Sequence, residues 1–203
     1  MYKLYYSPGA CSMAVHVVLN ELAAKFDLEK VTAEQRKDAA FLTVNPRGQV
    51  PVLLIDGEPM KEGAAILLYL LDTHGSPLMP KSGMARAKAL EWLMWCNASL
   101  HPACGKMFWL NKVTMEEKAK EELKKSVSAQ IQSLWDEAET RLAKSKYLAG
   151  DQVTAADILM TVIANWGMGS LGPNVKRVIG EISRRPSYQQ ALKTEEIEYK
   201  AAA

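Results

Sequence analysis

Four things are scarce in this chain of 203 residues, and each scarcity removes a class of function. Cysteine appears only three times, an odd and sparse count, so a disulfide scaffold is not expected. A reduced, cytoplasmic protein is. No apolar run reaches the ~18 residues of a membrane span. The first residues show no charged-then-apolar leader pattern. Charge of one sign is also lacking: 25 basic residues meet 23 acidic ones, a net charge of +2 with no like-charge block. Neither a nucleic-acid surface nor an anionic-membrane surface is expected from that balance. Metal ligands are thin as well. Cys96, Cys104 and His101 lack a fourth partner at zinc spacing, and His16 and His74 stand apart from any second ligand, so no metal site is expected. What is present is a hydrophobic fraction of 48%, enough for a substantial core.

The patterning changes partway along. Tyr2, Leu4 and Tyr6 alternate with Lys3 and Tyr5 as in a strand; Pro8 and Gly9 break it. Met13, Val17, Val18 and Leu22 then recur at helical spacing. A second strand is expected around Phe26, Leu28 and Val31, a third from Val50 to Ile55, and a return strand from Glu58 to Lys61 after an Asp56-Gly57 turn. Ala64 to Leu71 reads as a helix. Residues 76–84, with two prolines, a glycine and two serines, read as a linker. Beyond Ala85 the strand signals stop. Helices are expected over 85–110 with a bend near Pro102, over 116–144 and 155–168, and around 174–184 and 187–193. The fold class is therefore a small α/β domain (1–76) followed, after a 77–84 linker, by an all-helical domain (85–203).

Four local arrangements carry chemistry. Cys11 sits at a helix N-terminus, where free N–H groups and the positive end of the macrodipole favour thiolate, although a small buried capping cysteine fits the same pattern. Val50-Pro51 opens a strand; a cis bond there would free the Val50 backbone to pair with an extended peptide, whereas a trans bond would make an ordinary turn. Glu62 and Gly63 precede a helix and suit the zwitterionic end of an amino acid, or form a charged cap. His101 is a candidate base for a thiol, or a histidine satisfied inside a helix bundle. A fifth arrangement, Thr154 with Asp157 three residues on, is a capping box, and its role is folding.

Taken in order, Tyr5-Tyr6-Ser7-Pro8-Gly9-Ala10-Cys11-Ser12, Asn45 through Leu53, Glu62-Gly63-Ala64-Ala65-Ile66, Leu100-His101 and Gly150-Asp151 with Thr154–Asp157 resemble a cytosolic glutathione transferase, most of all the bacterial beta class. The resemblance implies a thioredoxin-like domain that binds glutathione as co-substrate and a helical domain that lines a pocket for a hydrophobic electrophile. It implies a homodimer joined through the 85–110 helix, whose Trp92, Met94, Trp95, Cys96 and Leu100 supply more apolar surface than one face needs. It places Cys11 and His101 at the reacting sulfur, with Arg36, Val50, Pro51, Glu62, Gly63 and Ser99 around glutathione. Cys104, Phe108 and Trp166 fall at the second-substrate pocket. Tyr6 matches a tyrosine catalytic in other classes but not in this one. Three positions depart from the family: Pro102 where Lys is frequent, Met94 where Asn is, and Ser99 where an acid is. The activity implied is conjugation of the glutathione thiolate to small electrophiles, with thiol-transferase or peroxide-reducing chemistry through Cys11 as a second possibility. A glutaredoxin-type redox protein and a stress or interaction protein that kept the fold without catalysis are the rivals; Pro8-Gly9-Ala10-Cys11 holds no second cysteine for dithiol chemistry.

Overall fold

The computed structural model describes residues 1–201; the last two alanines of the 85–203 span lie outside the described residues. Its sheet has four strands in the order β2-β1-β3-β4, with β1 (Tyr2–Tyr6), β2 (Phe26–Lys30), β3 (Val52–Ile55) and β4 (Glu58–Lys61). β1 runs parallel to β2 and antiparallel to β3, which pairs antiparallel with β4. Leu4 lies in register between Leu28 and Leu53 and is fully buried, so the centre of the sheet is a leucine row. Asp56 and Gly57, both at positive φ, make the two-residue turn between β3 and β4, as the Asp-Gly pair demands.

The crossover from β1 to β2 is α1 (Ser12–Glu21), buried from Ser12 through Leu19. A helix apolar on every side must be covered on every side. Sheet strand β1, α3 (Gly63–Thr73), α7 (Ala155–Ala164) and α9 (Pro186–Glu195) supply that cover. The first turn of α1 is thereby held where the sheet meets the helical part. The stretch between β2 and β3, which shows no clear periodicity in sequence, holds a 3-10 turn at Gln35–Lys37 and the short helix α2 (Ala39–Val44). Phe41 of α2 packs with Val31 and Val52 in a small core on the opposite face of the sheet.

The helical part comprises α4 (Gly83–Met94), α5 (His101–Lys112), α6 (Glu117–Leu142), α7, α8 (Pro173–Ser183) and α9. The single bent helix expected over 85–110 is instead α4 and α5 joined by a π-helical segment, Trp95–Leu100. Pro102 lies in the first turn of α5 and lacks an N–H, so the preceding turn relaxes to a wider one. α7 stops at Ala164 rather than 168, because Gly167 and Gly169 adopt positive φ. The surplus apolar surface expected at the dimer helix is largely spent within the chain: Trp92, Cys96 and Leu100 are buried in its own core. Met84 and Met94 stay exposed.

α7 is buried along its whole length and centres the helical part. The capping box expected at its start is present. The Asp157 carboxylate accepts from the Thr154 N–H at 2.8 Å, from the Thr154 hydroxyl at 3.0 Å and from the Leu148 N–H at 2.9 Å. One side chain thus starts the helix and pins the 147–150 turn beside it. Burial pushes the Asp157 carboxyl up from its usual range, against these hydrogen bonds, which pull it down.

Candidate active site

A cavity of about 590 Å³ opens between the sheet half and the helical half. Cys11, Arg36, Val50, Pro51, Glu62 and Gly63 line it from one side; His101, Phe108 and Trp166 line it from the other. Nine of the eleven site positions expected from sequence therefore meet in one space within the range of small-molecule sites. Ser99 and Cys104 do not line it. The reason is helical phase. At about 100° per residue, Ser99 points nearly opposite to His101. Cys104 turns aside into the core, where it is fully buried.

The same phase argument finds two residues that the family pattern does not suggest. Asn97 and Lys112 line the cavity. Counted around the helix, both fall within about 40° of His101, as does Phe108. Spacing of four and eleven residues was the available signal. Ser7, Gly9, Asn45, Arg47 and Gln49 also contribute to the wall.

Each group has a local cause for its place. Val50-Pro51 is cis; Val50 precedes β3, whose pairing begins at Val52, so its backbone stays outside the sheet ladder. The Val50 carbonyl accepts from the Cys11 thiol at 3.7 Å, a weak hydrogen bond. Gly63 opens α3, and a Cβ there would stand 3.5 Å from the Pro51 ring, ordinary contact distance. Glu62 is held at φ 71°, ψ 107°, a conformation costly for a residue with a side chain. Strain of this kind clusters at ligand sites and switch regions, and here it sits on the cavity wall. Arg47 Nη1 donates to Glu62 Oε1 at 2.7 Å, and both side chains are more than half exposed, so the pair is weakly stabilising and free to rearrange.

The loop before Cys11 is clamped from the helical half. Gly9 donates its N–H to Glu195 Oε2 at 2.9 Å, and its carbonyl accepts from Trp166 Nε1 at 2.8 Å. Glu195 Oε1 lies 2.9 Å from His16 Nδ1, and both side chains are buried. Gly9 is at φ +68°, and a Cβ would reach Ile197 Cδ1 at 3.4 Å. Trp166 in turn packs edgewise on Phe108 at 5.6 Å and tilts against His101 at 5.2 Å, between ring centroids. The aromatic wall of the cavity and the loop carrying Cys11 therefore share one residue, Trp166.

The electrostatics of Cys11 correct the expectation of an acidic thiol. Burial pushes its pKa up to about 11, although its own N–H, the Ser12 N–H and the Arg36 charge all pull it down; the Glu62 charge adds to the rise. The helix N-terminus is real, but desolvation outweighs it. Burial likewise pushes Cys104 up to about 11 and Cys96 well above the free thiol value. Burial lowers His101 below the ordinary imidazole range, with Glu62 opposing, so the ring is neutral at pH 7 and able to accept a proton. Among the described residues no cluster of His, Cys, Asp and Glu could hold a metal ion.

Sequence profiles of two domains match the chain: the glutathione S-transferase N-terminal domain over residues 9–73 and the glutathione S-transferase C-terminal domain over residues 100–186. The chain belongs to the glutathione S-transferase family. It is 33% identical over 166 residues to a glutathione S-transferase of Xanthomonas campestris, covering 81% of each chain. Two solved structures, each 33% identical, superpose with a TM-score of 0.83 over 97% of this chain and the whole of the other. One is a sphingomonad glutathione S-transferase complexed with glutathione; the other is the bacterial beta-class enzyme of Sphingomonas chungbukensis. This protein is thus a bacterial-type, beta-class-like glutathione transferase. No helix of its described residues is long and apolar enough to cross a membrane.

Proposed function

We propose that the cavity binds glutathione in extended form along Val50 and transfers its thiolate to a small hydrophobic electrophile held by Phe108 and Trp166. The observation that carries this reading is the convergence of Cys11, Val50, Glu62, Gly63 and His101 on one wall system with that aromatic pair. The γ-glutamyl ammonium pairs with Glu62 and its carboxylate with the free N–H groups that open α3 at Gly63. Arg36 faces the glycine carboxylate. Neutral His101 accepts the thiol proton as the sulfur forms its bond to carbon, and the leaving group departs with the displaced electron pair.

A redox role for Cys11 is the weaker reading, because burial keeps its sulfur as thiol near neutral pH. The conjugation reading is tested by glutathione titration calorimetry and by turnover of 1-chloro-2,4-dinitrobenzene. Binding with turnover supports it; no heat of binding at millimolar glutathione rejects it.

The protein is further proposed to act in the cytoplasm as a homodimer, with exposed Met84 and Met94 of α4 at the contact. Sedimentation of a 22.5 kDa species at micromolar concentration would reject the dimer.

A further inference from the structure

We infer that Lys112 selects electrophiles that carry a negative charge, so that the preferred second substrate is an aromatic anion rather than a neutral aryl compound. This rests on the conjugation reading above and adds to it the class of electrophile.

Lys112 closes the last turn of α5 and lines the cavity together with Phe108, one turn earlier on the same face. Helical side chains lean toward the N-terminus, so the lysine leans toward the phenylalanine. Its charge is uncommitted: among the described residues it forms no ion pair, and what sets it apart from other exposed lysines is its place on the cavity wall. The cavity's cations are Arg36, Arg47 and Lys112, against the single carboxylate of Glu62. Arg47 lies beside Glu62, 2.7 Å away, at the end of the cavity that takes the γ-glutamyl group. Arg36 stands on the sheet side with Cys11, whose thiol feels its charge.

Lys112 stands at the opposite end of α5 from His101. It lies about 16 Å along the helix axis from His101, counting 1.5 Å per residue. A tripeptide laid along Val50 toward Glu62 places its two carboxylates at the sheet side, leaving Lys112 over the aromatic end. An aromatic wall of Phe108 and Trp166 with one unpaired ammonium at its rim matches a flat apolar ring bearing a carboxylate or sulfonate. The transfer itself is unaltered: the glutathione sulfur bonds to ring carbon, the carbon–halogen bond breaks, and halide leaves with the electron pair.

The test uses a matched pair, 4-chloro-3,5-dinitrobenzoate and its methyl ester, at saturating glutathione. The quantity read is the ratio of kcat/KM for acid over ester, in the parent and in Lys112→Met, Lys112→Arg and Lys112→Glu. A partly exposed ion pair is worth roughly 1.4- to fivefold. Lys112→Met should lower the ratio by that factor, Lys112→Glu should lower it further, and Lys112→Arg should restore it. In the parent the ratio should fall as salt rises from 20 mM to 0.5 M. A ratio unchanged in Met and Glu, with the ester still turned over, overturns the role of Lys112 alone. A loss that appears instead as a raised KM for glutathione overturns it too, since the lysine would then hold a glutathione carboxylate. Turnover of neither compound by the parent overturns the conjugation reading and this inference with it.

Discussion

Cys11 offers the sharpest quantitative test, with pH as the perturbation. Its thiol is pushed up to about 11 by burial, against three groups that pull it down. At pH 7.5 such a group is thiolate in roughly one molecule in 3,000, where an ordinary cysteine near 8.5 is about one in ten. The population alone predicts a rate roughly 300-fold lower. A more basic thiolate is also a better nucleophile, with a Brønsted slope of about 0.4–0.5, which returns roughly tenfold. The net expectation is alkylation by iodoacetamide roughly 20- to 30-fold slower than a free thiol at pH 7.5. The rate should climb close to tenfold per pH unit up to pH 10. Cys96 and Cys104, both fully buried, should stay unlabelled in the folded protein, so peptide mass mapping assigns the signal to Cys11. Oxidised glutathione should form its mixed disulfide at Cys11 along the same pH profile. A rate that levels off below pH 9 would refute the reasoning: the helix N-terminus and Arg36 would then outweigh desolvation, and redox chemistry at neutral pH would regain ground.

The contrast between the helix-terminus argument and the desolvated, half-buried thiol shows what a sequence can carry here. The position of Cys11 at the start of α1, the Asp56-Gly57 turn and the Thr154–Asp157 box are all local, set by residues within a few positions of one another. Those features were legible. The acid strength of Cys11 is not local, since the atoms that desolvate it come from segments far apart in the chain. The clamp on Gly9 is the extreme case. Its two hydrogen bonds come from residues 157 and 186 positions away, and nothing in Glu195 or Trp166 marks them as partners of a loop near the N-terminus. Helix α2 was missed for a different reason: six residues with one buried side chain, Phe41, give no periodicity to detect. Asn97 and Lys112 lay between these extremes, visible once His101 fixed the phase of α5. Ser99 and Cys104 show the converse, where family position suggested a role that helical phase does not support.

Three stability predictions follow from the ties within and between the two halves. Asp157→Ala orphans the buried N–H groups of Leu148 and Thr154 and should cost roughly 2–5 kcal/mol in urea unfolding, at about 1–3 kcal/mol per group; a loss under 1 kcal/mol would mean that water replaces the carboxylate. Glu21 receives Arg185 Nε and Nη2, each at 2.7 Å, together with the Ser187 hydroxyl; chiefly the arginine holds its carboxyl below the usual range. A depressed folded pKa gives stability that is present above the unfolded value of about 4.3 and is lost as pH falls through the folded one. The parent should therefore exceed Glu21→Gln by about 1–2 kcal/mol at pH 6, and the two should converge toward pH 3; parallel curves would show that the ion pair contributes nothing. Glu195→Ala tests whether the helical half positions the Cys11 loop. It strips the half-buried Gly9 N–H and the buried His16 Nδ1 of their partner, so roughly 2–4 kcal/mol of stability should go. Because Gly9 is two residues from Cys11 while Phe108 and Trp166 stay in place, the KM for glutathione should rise more than the KM for the electrophile. A stability loss with both KM values unchanged would make Glu195 a structural tie only, and the orientation of the loop would then rest on the Trp166 hydrogen bond to the Gly9 carbonyl.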